Sequence, residues 1–167
     1  MKKMLVVNAL LFVLLSVCIM SCDLFKSTVY VKFDQKTFNE QKKLWQTSNV
    51  KNYQYEFLAS GFIGYHGTVV VENGNFKNDL PLYEYSDFKG FMDYSTIDKI
   101  YKTIEESFYE YNNTKQSIIN DFYYTEILVE YDRINHIPVN ITYDYNTPQM
   151  TAIDGTFDYE INNFSRW

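Results

Sequence analysis

The chain has 167 residues, with 15 basic against 21 acidic side chains and a formal net charge of −6 at pH 7, so nucleic acid and anionic headgroups are disfavoured as partners by repulsion. Its length suits one domain with a real core and would cramp a second. Aromatic residues make up 19%, with 16 Tyr and 13 Phe, which fits half-buried pleated surfaces and wet interfaces and therefore a sheet-rich protein.

Lys2 and Lys3 precede a run from Met4 to Met20 that is apolar apart from Asn8 and Ser16, the pattern of a secretory signal. The run falls short of the ~20 apolar residues needed to cross roughly 30 Å of hydrocarbon. It ends in Ile19-Met20-Ser21-Cys22, which resembles the lipobox of bacterial lipoproteins: a branched apolar residue, a variable one, a small one, then cysteine. The resemblance implies cleavage between Ser21 and Cys22, a diacylglyceryl group on the Cys22 thiol and an acylated new amino terminus. The membrane is then a partner through the lipid on Cys22. Two or three chains, at ~0.8 kcal/mol per buried CH₂, make a stable anchor. On this reading residues 1–21 are a signal peptide, 22–33 a lipidated tether and 34–167 a single domain at the cell envelope, facing periplasm or exterior. The alternatives are an uncleaved anchor or secretion without lipid. Cys18 leaves with the signal and Cys22 is consumed by lipid, so disulfides, thiolate metal sites and a cysteine nucleophile are excluded from the mature domain.

The alternating stretch Val29-Tyr30-Val31-Lys32-Phe33 either adds an edge strand or runs along the domain. Thr37 and Glu40 form a capping box, and Phe38, Gln41, Leu44 and Trp45 share one face, which predicts a helix over 35–47. Tyr53, Tyr55 and Phe57 alternate with Gln54 and Glu56 as a half-buried strand does. Gly61, Gly64 and Gly67 mark a turn, and Asn73-Gly74 predicts a hairpin pairing strands 66–72 and 75–79. An irregular aromatic segment, Leu80 to Tyr94, follows. A second helix is expected from Thr96 to Asn112, capped by Ser95, with Ile97, Ile100, Tyr101, Ile104, Phe108 and Tyr111 on its inner stripe.

From Asp121 the period returns to two, with Tyr123, Thr125, Ile127, Val129 and Tyr131 on one face and Tyr124, Glu126, Leu128 and Glu130 on the other. A turn from Asp132 to His136 leads to a strand through Val139, Ile141, Tyr143 and Tyr145, with Pro138 at its start or on an edge. Beyond Asn146 to Asp154, Gly155 to Phe164 supplies one more strand. These elements predict an α+β, two-layer domain: an antiparallel sheet of five to seven strands with two helices on one face, built as a possible αβββ duplication.

Leu44-Trp45, Asn52-Tyr53-Gln54-Tyr55, Val69-Val70-Val71 with Asn73-Gly74, Ser95-Thr96-Ile97 with Ile100-Tyr101, Val129-Glu130-Tyr131-Asp132, Pro138, Ile141, Asp144 and Asp154 together resemble a domain-of-unknown-function family of bacterial envelope lipoproteins. The resemblance spans Leu44 to Phe164. Many members of that family have Gly-Tyr-Pro where this chain has His136-Ile137-Pro138, and a cysteine pair near the first hairpin that is absent here. It implies fold and envelope location and carries no activity or cofactor.

His66 and His136 stand alone in the sequence, without metal-ligand spacing, and each is read as a turn histidine. No nucleophile elbow, phosphate loop or calcium loop is present. Asp144, Asp154 and Asp158 flank one strand connection; they are read as turn formers, with a hard cation as the weaker alternative. Tyr83, Tyr85, Phe88, Phe91 and Tyr94 crowd one segment. Either Phe88 and Phe91 are anchors that close it over the core, or the segment is a contact surface for an envelope protein, peptide or glycan. The leading expectation is a non-enzymatic binding module without cofactor; an envelope hydrolase acting on glycan or peptide is the runner-up.

Overall fold

The computed structural model describes residues 28–60, 65–77, 93–115, 123–145 and 156–167. The signal segment with Ser21 and Cys22, the turn glycines Gly61 and Gly64, the aromatic residues Tyr83, Tyr85, Phe88 and Phe91, and Asp154 lie outside the described residues.

Residues 28–33, read as the end of the tether, belong to the folded unit. Strand β1 (Thr28–Val29) pairs with β6 (Thr114–Lys115) in a small ladder of its own. Strand β2 (Lys32–Phe33) lies parallel to the start of β7 (Tyr124–Asp132), so the edge-strand alternative is the one the chain takes. Val29 and Val31 are buried, and the Val31 amide donates to Asn112 Oδ1 at 3.1 Å.

Helix α1 is Gln35–Ser48. Asp34 caps it by accepting the Thr37 amide at 3.1 Å, so the expected Thr37–Glu40 box is not the cap: Asp34 already occupies the half-in position that the side-chain acceptor needs. Phe38 and Trp45 are buried, whereas Leu44 is 44% exposed and lies off the inner face. Helix α2 is Ile97–Tyr111, and Thr96 rather than Ser95 caps it, accepting the Lys99 amide at 3.1 Å. Its stripe of Ile97, Ile100, Tyr101, Ile104 and Phe108 is buried as expected. The two helices touch through Phe38 and Tyr101, whose ring centroids are 5.5 Å apart, and through Trp45 Nε1 donating to Asp98 at 3.2 Å.

The remaining strands are β3 (Tyr53–Ser60), β4 (Tyr65–Glu72), β5 (Asn75–Phe76), β8 (Ile137–Tyr145) and β9 (Thr156–Arg166). Among the described residues the main sheet has seven strands in the order β2-β7-β8-β9-β3-β4-β5. Helix α1 is followed by the meander β3-β4-β5 and α2, after the short β6, by the meander β7-β8-β9, and β9 pairs antiparallel with β3 to join the two side by side. The molecule is an α+β fold with two helices on a mostly antiparallel sheet. The β2–β7 pair departs from the expected all-antiparallel ladder because no tight hairpin joins it and the chain is free to enter that edge from the other direction.

One expectation about faces fails at a bulge. Tyr124 pairs with Tyr145 and Glu126 with Asp144, leaving Thr125 as an extra residue. Tyr124 therefore turns inward, its ring 4.8 Å from Tyr111 and 4.9 Å from Tyr143, while Thr125 is exposed. Beyond the bulge Ile127, Val129 and Tyr131 face the helices as expected. A second shift lies between Glu130 and Tyr131, next to Pro138 at the start of β8, where the missing amide hydrogen disturbs a ladder already interrupted.

In the β4–β5 hairpin both central residues have positive φ, 53° at Asn73 and 78° at Gly74, as a type I′ turn requires. The Gly74 amide donates to Lys51 O at 2.8 Å and the Asn73 amide to Asn52 Oδ1 at 2.8 Å, so the turn is docked on the α1–β3 loop. A Cβ at Gly74 meets Lys51 Cδ at an ordinary 3.5 Å, so space is available and backbone strain decides. Gly74→Ala is expected to lower unfolding free energy by about 1 kcal/mol in urea denaturation; an unchanged midpoint contradicts this.

Candidate functional site

Among the described residues the helices cover one face of the sheet and no element packs on the other. Alternation along the strands sends Tyr53, Tyr55, Phe57, Val69, Val71, Ile127, Ile141 and Ile161 into the core and their polar neighbours to the far side. There, cross-strand register lines up Glu130, Asn140, Glu160, Leu58 and His66 in a row across five strands. A second row holds Leu128, Thr142, Asp158 and Ser60, with Thr142 Oγ1 donating to Asp158 Oδ1 at 2.7 Å. Glu126 stands directly opposite Asp144. Like charges in that position repel, and Lys32, in an ion pair with Glu126, offsets this. With Glu56, whose Oε2 accepts Asn163 Nδ2 at 2.8 Å, six carboxylates project from this face.

At the β2–β7 border lies a groove of about 280 Å³. Phe33, Ile127 and Val129 form its apolar floor and Lys32, Asp34 and Glu126 its charged rim. The Tyr131 hydroxyl is buried there without a hydrogen-bond partner. Burial, and then the Asp34 charge, push its pKa up from the ordinary phenol value, so it stays a neutral donor. Asp34 is held below the usual carboxylate range by the Thr37 amide and stays anionic.

The sequence-derived candidates fall in different places. Tyr94 is only 7% exposed and clusters with Phe57 at 5.2 Å and Tyr159 at 4.5 Å, themselves 5.9 Å apart. Tyr94, expected as a contact residue, is therefore part of the core and offers a partner almost no surface; Phe88 and Phe91, expected to close the segment over the core, lie outside the described residues. Asp144 and Asp158 sit on adjacent strands rather than in turns. Among the described residues no group of three or more His, Cys, Asp or Glu is placed to hold a metal. His136 is a turn residue with φ 57°, its Nδ1 3.0 Å from Gln41 Oε1. His66 is not: it lies in β4 opposite Leu58, because the turn read at Gly67 is strand.

Sequence reasoning named neither Asp34 nor Tyr131 as a site residue. The available signal was Asp34 as a cap-type residue directly after Phe33, since a helix capped there must end β2 and leave the rest of β7 uncovered. No described helix is long and apolar enough to cross a membrane. In comparisons with known proteins, no protein family, no curated protein and no solved structure matches this chain.

Proposed function

We propose that this chain is a bacterial envelope lipoprotein, anchored through lipid on Cys22, whose domain acts as a non-enzymatic binding module for an envelope protein, peptide or glycan. The lipobox-like Ile19-Met20-Ser21-Cys22 supports the anchor, and the resemblance to the family of envelope lipoproteins is part of the same proposal. The observation that carries the binding role is the open sheet face: rows of carboxylates, amides and hydroxyls on rigid strands, with the helices packed on the opposite side. Side chains fixed by cross-strand register present a preformed polar pattern, and recognition on such a surface costs little ordering.

Two measurements test the two halves. Cys22→Ala is expected to move the protein from the membrane to the soluble fraction; unchanged fractionation removes the anchor. Photo-crosslinking residues placed in living cells at Thr68, Glu130 or Glu160 are expected to give discrete adducts, whereas positions on the exposed sides of the helices, Lys43 and Glu106, give none. Equal yields from both sides remove the sheet face as the binding surface.

A further inference from the structure

Strand β7 runs from Tyr124 to Asp132, yet β2 pairs only with Glu126 and Ile127 before Asp34 turns the chain into α1. Among the described residues no strand lies beside Leu128 to Asp132 on that side. Such an edge carries a row of amide and carbonyl groups able to template another strand. The groove sits at this point, and its about 280 Å³ falls below the ~300–1,000 Å³ of sites that enclose a whole small ligand. It suits an apolar side chain whose own backbone lies outside, along the edge. The Tyr131 hydroxyl, buried and without a partner, supplies a donor for one carbonyl of an incoming chain. The charge of the occupant follows from the rim: Asp34 and Glu126, with Glu130 alongside, outnumber Lys32, on a chain whose net charge is −6.

We propose that an extended, positively charged segment of a partner protein docks in this groove and adds beside β7 as a further strand. The proposal rests on the reading of the domain as a binding module and names the site and the partner's chemistry. Backbone hydrogen bonds supply the attachment, an apolar side chain fills the groove, and flanking Lys or Arg side chains meet the acidic rim.

The test uses the full-length protein in detergent micelles and the synthetic peptide acetyl-Thr-Lys-Val-Thr-Val-Lys-Thr-amide, followed by amide chemical shifts. Saturable binding is expected at or below about 1 mM, with the largest shifts at Leu128 to Asp132. N-methylation of alternate peptide amides is expected to weaken binding at least about tenfold, and Glu in place of both Lys to do the same. Asp34→Asn, which retains a capping side chain, and Tyr131→Phe are each expected to weaken it at least about threefold without lowering the melting temperature. The proposal is overturned by no binding in that range, by equal binding of the N-methylated or Glu-substituted peptide, by shifts centred on another edge, or by a β7-edge dimer that the peptide does not dissociate. If the open-face crosslinks form in cells while the peptide fails, the strand-addition site is lost and the binding-module reading stands. If both fail, both are lost.

Discussion

Titrated upward, this protein is expected to unfold in one cooperative step between about pH 10 and pH 11. Tyr53, Tyr55, Tyr94, Tyr101 and Tyr143 are all buried, and burial raises the pKa of each above the ordinary phenol value, that of Tyr53 to about 12. The unfolded chain releases those protons near pH 10, while the folded protein holds them until a higher pH. Because the folded values are raised, the stabilisation is complete below about pH 10 and is lost as pH rises toward the folded values. Each group removes at most about 1.4 kcal/mol over one pH unit, so the five together remove up to about 7 kcal/mol, against a typical 5–15 kcal/mol for a domain. Half-buried Tyr131, Tyr145 and Tyr159 add increments reduced by solvent screening. Tyrosinate absorbance and far-ultraviolet circular dichroism recorded together check this. A sigmoidal absorbance jump coincident with loss of circular dichroism is expected; a gradual absorbance rise with unchanged circular dichroism contradicts it.

The stripe of α2 was legible because its period holds from Ile97 to Phe108 with only apolar or aromatic residues on the inner face. The Asn73-Gly74 turn was legible because few dipeptides accept two successive positive φ values. The faces at the start of β7 were not. Positions 123 and 124 are both tyrosine, so a period-two reading runs through the Thr125 bulge without meeting a contradiction. The helix caps were ambiguous for a related reason: Asp34 and Thr37 can both accept an amide, and so can Ser95 and Thr96. Which residue caps is decided by where β2 leaves the sheet and where β3 receives α2, both contacts distant in sequence. The candidate groove was still less legible, since it depends on β2 ending after two residues and on an unsatisfied hydroxyl at Tyr131. A tyrosine on an inward strand position looks the same in sequence whether or not its oxygen has a partner.

The open face and the tyrosine core share one origin in the alternation of the strands. Along β3, Tyr53, Tyr55 and Phe57 face the helices while Gln54, Glu56 and Leu58 face outward. The rigidity that holds the polar rows in register is therefore set by the inner side chains of the same strands.

Tyr55→Ala is expected to cost about 3–5 kcal/mol, enough to unfold a marginal domain, while Tyr55→Phe costs about 1–3 kcal/mol. Tyr55 is 0% exposed, and its hydroxyl donates to Tyr94 O at 2.6 Å. Alanine leaves a cavity beneath α2, whereas phenylalanine fills the space and strands only a buried carbonyl. Tyr53 makes the matching contact one turn further on, its hydroxyl accepting the Ile97 amide at 3.1 Å. That amide is the first of α2 and has no partner within the helix, so Tyr53→Phe leaves a buried donor unpaired, also at about 1–3 kcal/mol. The two phenols clasp one segment, Tyr94 to Ile97, against β3. Once the first clasp is gone the segment can shift to find other partners, so the double Phe variant is expected to cost less than the two single variants added together. Urea denaturation of the three Phe variants measures this directly. Strict additivity contradicts a shared clasp, and a Tyr55→Phe protein as stable as the parent removes the hydroxyl from the account of how β3 holds α2.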